Sequence, residues 1–175
     1  MKKKLSVFSS VRSLTVAAML TAISIVIGIF CKNFLDFGGV FRITFESLPI
    51  ILSGIIFGPV AAGIVGAVSD ILSYMLSTQS FAISPIITLG AASVGMVSGL
   101  VSHYIIKKEG TLRIVMSAVL GHLVGSILIK SIGLYIYFGW AILYRIPIYI
   151  FIASVEIFVI RLLYKNKNFA KLLKE

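Results

Sequence analysis

The sequence predicts an all-α membrane protein, a bundle of six transmembrane helices with both termini in the cytoplasm. Three observations carry that prediction. The 175 residues are 59% hydrophobic and only 13% charged, with a mean hydropathy of +1.08, which is the composition of a polytopic membrane protein. Apolar runs recur between short polar breaks, and a crossing needs about 20 such residues because the hydrocarbon is roughly 30 Å thick and a helix rises about 1.5 Å per residue. The basic residues also segregate. Of sixteen, only Lys32, Arg42, Lys130 and Arg145 fall on the outer half of a six-span layout, the rest lying in cytoplasmic flanks and loops as the positive-inside bias expects.

The elements follow in order. The first span covers about 12–31, from Arg12 to Cys31. A polar, aromatic and glycine-containing stretch, 32–44, comes next, and Gly38-Gly39 in it is either a hinge or an ordinary turn. A short apolar segment, about 45–57, follows. Gly58-Pro59 then makes a sharp turn, because proline cannot continue a helix but suits the start of the next. The third span is about 59–77. Pro85 opens the fourth, about 85–106, and Lys107-Lys108-Glu109-Gly110 forms a basic loop. The fifth span is about 112–136, and the sixth, about 142–164, leads to a basic tail. Short loops throughout make this one membrane domain, 1–175. The second span is the shortest and could tilt or re-enter.

Composition excludes several function classes. The net charge of +10 sits in flanks and loops without interleaved aromatics, so the anionic inner leaflet is the expected partner and nucleic acid is not. One cysteine, Cys31, leaves no internal disulfide, and no His/Cys/carboxylate set has metal-ligand spacing. The run after Arg12 is too long for a signal h-region and reads as a retained span. No phosphate-binding Gly-Lys loop and no nucleophile-base pair stands out, so no enzyme, no ATPase site and no cofactor are expected.

Small residues recur at four-residue spacing: Ala18 and Ala22; Gly63 and Ala67; Ala91, Gly95 and Gly99; Ser117, Gly121 and Gly125. Lipid gives helices no hydrophobic drive to associate, so close packing at small residues supplies it. Most of these stripes should lie inside the bundle, whereas the first-span pair could face another protein.

Candidate functional residues are the polar side chains within or beside the spans. Asp70 lies eleven residues past Pro59, about 16 Å deep, where a carboxylate costs on the order of 2.5–3.5 kcal/mol to insert. It must face the bundle, either as an acceptor for ligand N–H groups or in a structural pair, and Gly66, Ser73 and Tyr74 share its face. Glu156 reads as structural. His122, Ser126 and Lys130 form a polar stripe on the fifth span, with Lys130 either touching ligand or snorkelling to the interface. Arg42 stands among aromatics in Phe41-Arg42-Ile43-Thr44-Phe45-Glu46, a setting in which arginine holds a carboxylate bidentately; Glu46 could simply pair with it. Arg145 faces the same end. Tyr135, Tyr137, Phe138, Trp140 and Tyr144 form either an interfacial belt or walls for a flat ligand.

Arg42-Ile43-Thr44-Phe45, Leu48-Pro49, Gly54, Phe57-Gly58-Pro59, Gly63, Gly66 and Ser69-Asp70 resemble, at their spacing, the substrate-binding S components of energy-coupling-factor (ECF) vitamin transporters, most closely the folate-specific branch. Phe81, Pro85, Thr88, Tyr137-x-Gly139 and Arg145 extend the resemblance over about 12–164. Two positions depart from that branch: Lys130-Ser131 stands where an Asn-Thr pair is usual, and Glu46 where glycine is. The resemblance implies a six-helix fold without its own ATPase. It also implies a high-affinity site covered by the loop after the first helix, and partnership with a transmembrane coupling subunit and two ABC ATPases. Ala18 and Ala22 match the spacing by which the family docks the coupling subunit.

The expected function is therefore capture of folate or a related vitamin at the outer face of a prokaryotic plasma membrane. Arg42, Lys130 and Arg145 suit its carboxylates, Phe45, Tyr135, Tyr137 and Trp140 its flat rings, and Asp70 its amino-pyrimidine edge, with Tyr74 and Thr88 beside it. Three alternatives stay open: an S component for another flat vitamin (riboflavin, thiamine or a pyridoxine-like compound), an ion-coupled secondary transporter using Asp70 or Glu156, or a non-transporting assembly subunit.

Overall fold

The computed structural model describes residues 10–37, 41–78, 84–106, 110–140 and 145–165. Helix α1 (Val11–Phe34) leads into a small antiparallel hairpin of β1 (Asp36–Phe37) and β2 (Phe41–Arg42). Helices α2 (Ser47–Phe57), α3 (Pro59–Leu76), α4 (Pro85–Leu100), α5 (Thr111–Gly121), α6 (Lys130–Phe138) and α7 (Arg145–Lys165) follow. π-helical turns extend α4 over Val101–Ile105, and a second π-helical stretch, His122–Ile129, joins α5 to α6 in one rod. The all-α class expected from composition is the class adopted. The hairpin is an addition, and it falls in the stretch read as loop.

Two boundaries move. α1 continues past Cys31 to Phe34, which carries Lys32 into its last turn instead of a loop. α2 has only 11 residues, about 16 Å at ~1.5 Å per residue and so about half the hydrocarbon thickness. Among the described residues, five helices are long and apolar enough to cross a membrane; α2 is not one of them. Apart from three small polar or glycine residues, SLPIILSGIIF is apolar on every side, a composition that suits lipid and protein interior alike; packing against α1, α3, α4, α5 and α7 puts it inside the bundle. Ile50, Ile51, Leu52 and Ile55 are buried and form the core with Val65, Val94, Ile114, Ala118 and Ile160 of four other helices.

The α2–α3 corner is built by its residues. Gly58 adopts φ 90°, which favours glycine, and its N–H closes α2 onto the Gly54 carbonyl at 3.0 Å; Pro59 opens α3. Ser84, forced to extended backbone by Pro85, starts α4 with its carbonyl accepting from the N–H groups of Ile87 and Thr88 at 3.0 and 3.1 Å.

α4 is the hub, packed against α2, α3, α5, α6 and the π-helical stretch, while α1 lies on α2 and α3, and α7 on α5. Small residues make the hub possible. A Cβ on Gly66 would stand 2.5 Å from the Ala91 carbonyl oxygen, and one on Gly121 3.1 Å from that of Val94. The stripes of the third, fourth and fifth spans are thus interior. Ala18 and Ala22 are exposed on α1, away from the face that buries Ala17, Ser24 and Gly28.

Candidate functional site

Four charged side chains meet inside the bundle at its hairpin end. Lys32 comes from the last turn of α1, Glu46 from the residue before α2, Asp70 from α3 and Lys130 from the start of α6. They are 1%, 5%, 2% and 7% exposed, so each needs a partner to offset its lost hydration. Lys32 Nζ lies 3.2 Å from Glu46 Oε2 and 3.7 Å from Asp70 Oδ1. It also donates to Ser73 Oγ and sits 4.1 Å above the centre of the Tyr74 ring, a cation–π contact. Lys130 Nζ reaches Glu46 Oε1 at 3.4 Å. Thr88 Oγ1 donates to Asp70 Oδ2 at 2.8 Å. All four carboxylate oxygens are therefore partnered.

The chain makes room for this layer locally. A Cβ on Gly28 would stand 2.9 Å from Glu46 Oε2, and one on Gly90 would stand 2.5 Å from Lys130 Cγ; glycine at both positions leaves space for the charged side chains. Ser24 Oγ donates to the Glu46 carbonyl at 2.8 Å and fixes the entry to α2. Pro85 begins α4 and so puts Thr88 in its first turn, facing Asp70. The π-helical turns before Lys130 keep His122, Ser126 and Lys130 on the buried side of their rod.

The hairpin is latched to α3 at this end. Asp36 and Arg42 are directly opposed across the strands. Arg42 Nε donates to Asp36 Oδ2 at 2.7 Å, and a terminal guanidinium nitrogen donates to the same oxygen. The other terminal nitrogen donates to the Tyr74 hydroxyl at 2.7 Å. Burial disfavours the Arg42 charge, but Tyr74 and Asp36 outweigh it and raise its pKa above the ordinary arginine value, so this cation is permanent. Asn33 Oδ1 accepts from the Thr78 N–H and hydroxyl at 3.1 and 3.0 Å, tying the end of α1 to the end of α3.

Two further polar centres lie elsewhere. His122 Nε2 is 2.5 Å from Glu156 Oε2, and His122 Nδ1 is 3.3 Å from Ser126 Oγ; Glu156 Oε1 is buried and has no hydrogen-bond partner among the described residues. This pair joins the π-helical stretch to α7. His103 Nε2 and an Arg113 terminal nitrogen converge on the Ile55 carbonyl at 3.1 and 3.2 Å, satisfying the C-terminal end of α2. Among the described residues, no group of three or more His, Cys, Asp or Glu side chains is placed to hold a metal ion.

Against the sequence reading, Arg42, Asp70, Tyr74, Thr88 and Lys130 are brought together. Glu46 does not pair with Arg42, as the sequence suggested. Arg42 takes Asp36, which faces it across the hairpin, and Glu46 turns inward to the two lysines. Nor does Lys130 snorkel; its ammonium is buried on Glu46. Phe45 is half-buried beside Glu46. Tyr135 and Trp140 are 47% and 73% exposed and meet edge to face with ring centres 5.8 Å apart, outside the buried layer. The side chains of Tyr137 and Arg145, together with Phe81, Tyr144 and the Gly38-Gly39 pair, lie outside the described residues.

Sequence reasoning singled out Lys32 as a basic residue of the outer end and Ser73 as sharing the face of Asp70, but it did not set Glu46 between two lysines, and it missed Asp36. Nothing in the sequence couples Glu46 to residues 14 and 84 positions away.

Residues 12–171 match the family of the ECF transporter, substrate-specific component. The chain is 32% identical over 103 residues to the folate transporter FolT of Clostridium novyi (strain NT), a match covering 59% of this chain and 58% of that protein. Its fold is similar to the crystal structure of FolT bound with folic acid, with TM-score 0.66 and 24% identity over 85% of this chain and 89% of the other. It is similar also to the S component of a bacterial ECF transporter, with TM-score 0.65 and 25% identity over 93% and 97%. The chain belongs to the substrate-specific components of the ECF transporters, which are transport proteins and not enzymes.

Proposed function

We propose that this substrate-specific ECF component captures folate at the outer face of a prokaryotic plasma membrane for ATP-driven uptake. The observation that carries the reading is the enclosed layer of Lys32, Glu46, Asp70, Thr88 and Lys130 beside a latched hairpin. It offers both ammonium donors and carboxylate acceptors to a flat ring. Similarity to FolT and to a FolT structure with folic acid supports the ligand. Asp70 accepts N–H groups of the amino-pyrimidine edge. Phe45 and Tyr74 line the ring, Tyr135 and Trp140 stand toward the carboxylate tail, and Tyr137 and Arg145 are assigned to that tail on the family resemblance alone. Arg42 exchanges Asp36 or Tyr74 for ligand as the hairpin opens and closes.

The remaining parts follow the family. The chain forms one membrane domain with both termini cytoplasmic, and it has no ATPase site of its own. Ala18 and Ala22, exposed on α1, dock a transmembrane coupling subunit that works with two ABC ATPases. One observation favours a second reading, an S component for another flat vitamin: the described cations of the layer are already matched by carboxylates, so a ring lacking carboxylates suits the deep end too. Mass spectrometry of small molecules released from the purified protein, with calorimetric titration of folic acid, tests both. Release of a folate and saturable binding support the first reading. Release of a different flat vitamin, with no folate binding, replaces it by the second.

A further inference from the structure

Counted over its own four charged side chains, the buried layer is electrically balanced, with the His122–Glu156 pair outside that count. Two ammonium groups, on Lys32 and Lys130, face two carboxylates, on Glu46 and Asp70, within 3.2–3.7 Å. Glu46 produces that balance, because it alone touches both lysines, one with each oxygen. Arg42 and Asp36 cancel separately in the hairpin. The sequence suggests the opposite picture, in which lysines at this end are free to take an anion.

Charge balance in a low-dielectric interior decides what such a layer accepts. An uncharged heterocycle with N–H and carbonyl edges exchanges hydrogen bonds with the layer and leaves its sum at zero. A carboxylate entering it adds an uncompensated charge, or must displace Glu46 from both lysines at once, and a buried charge that loses its partner is strongly unfavourable. Selectivity built this way is a rejection of the wrong ligand as much as attraction of the right one. Glu46 is fixed in place from two sides. Its backbone carbonyl accepts from Ser24, and the missing Cβ of Gly28 makes room for its carboxylate.

We propose that Glu46 is a specificity-determining residue of this site: by neutralising Lys32 and Lys130 together, it makes the deep layer select an uncharged ring and reject a ligand carrying a carboxylate there. This deepens the folate reading and rests on it, since it directs the neutral pterin ring inward and leaves the anionic tail outside the layer.

The test compares pterin with 4-oxopteridine-2-carboxylate, which carries a carboxylate in place of the amino group on the edge that enters the layer, as competitors of labelled folic acid on the purified full-length protein at pH ~7.4, where the ring carboxylate is ionised. For the unsubstituted protein, pterin should bind at least about tenfold tighter than the carboxylate, a modest share of the cost of an unpaired buried charge. Glu46→Gln leaves the layer one positive charge in excess and should shrink or invert that preference by about tenfold or more. Lys130→Met leaves one negative charge in excess and should move it the other way, which also carries the test if Glu46→Gln does not fold. The double variant Glu46→Gln/Lys130→Met is balanced again on Lys32 and Asp70 and should restore the parental preference within about threefold. A purely structural role for Glu46 would not produce opposite shifts that cancel. Folic acid binding with a preference unmoved in both single variants overturns the proposal and leaves the folate reading standing. Failure of the unsubstituted protein to bind folic acid or pterin overturns both.

Discussion

Two buried carboxylates of this protein are held in different ways, and the contrast separates the proposed receptor from a fastening. Glu46 sits in a layer drawn from α1, α3, α4 and α6, with every oxygen of its own carboxylate and of Asp70 partnered. Glu156 sits on α7 and, among the described residues, hydrogen-bonds to His122 alone, leaving Oε1 without a partner. The first arrangement depends on many elements arriving together and offers donors and acceptors to a visitor. The second ties two neighbours and has little to exchange. A buried charge pair is weak evidence of net stability in itself, but removing one partner is costly in proportion to what it leaves unpaired.

The largest expected effect is on the hub of the first centre. Lys32→Met leaves Glu46 and Asp70 sharing one lysine and should destabilise the protein by about 3–5 kcal/mol, read as a fall in the thermal midpoint in detergent. A midpoint unchanged within error would mean the layer is not held by this cation. Next comes Asp70→Asn, which keeps shape but removes an anionic acceptor. Folic acid affinity should fall by about a hundredfold, ~2.7 kcal/mol, by calorimetry. Glu156 acts on Lys130 and Glu46 through space only, and Glu156→Gln should move the same affinity by less than about threefold. Equal losses in both variants would erase the distinction between receptor and fastening.

His122→Asn tests the fastening on its own terms. Leaving buried Glu156 without its partner should cost about 1–3 kcal/mol of stability, with folic acid affinity retained; lost affinity would make the pair part of the receptor. The smallest effect is expected at the latch. Tyr74→Phe removes the hydroxyl that accepts from Arg42 at 2.7 Å and keeps the ring under Lys32. It should weaken the closed hairpin by about 1 kcal/mol, seen as severalfold faster release of ligand in stopped-flow with equilibrium stability little changed. An unaltered release rate would separate the Arg42–Tyr74 contact from hairpin opening.

The legibility of the site follows the range of its contacts. Asp70 is visible as a candidate because a carboxylate in the middle of an apolar span has few places to go, and Tyr74 and Ser73 share its face at helical spacing. The hub role of α4 is foreshadowed by Ala91, Gly95 and Gly99. Glu46 is harder. In the sequence its near neighbour is Arg42, and local pairing is the simplest expectation. The short hairpin takes Arg42 for Asp36, and only then is Glu46 left to the lysines. Lys32 reads as loop because hydropathy drops at a charge, although the backbone continues as helix for as long as its hydrogen bonds are satisfied.

The amino-acid sequence by itself determined the class of the molecule: apolar runs matched to a bilayer, prolines and glycines marking the corners, and motif spacing that resembles its family. These are one-dimensional properties, carried by transfer free energies and local backbone preferences. Only the tertiary structure decided which charge answers which. A partner 14, 41 or 84 residues away is chosen by the packing of helices against α4, and Coulomb energy in a low-dielectric interior depends on those distances and on nothing the chain order records.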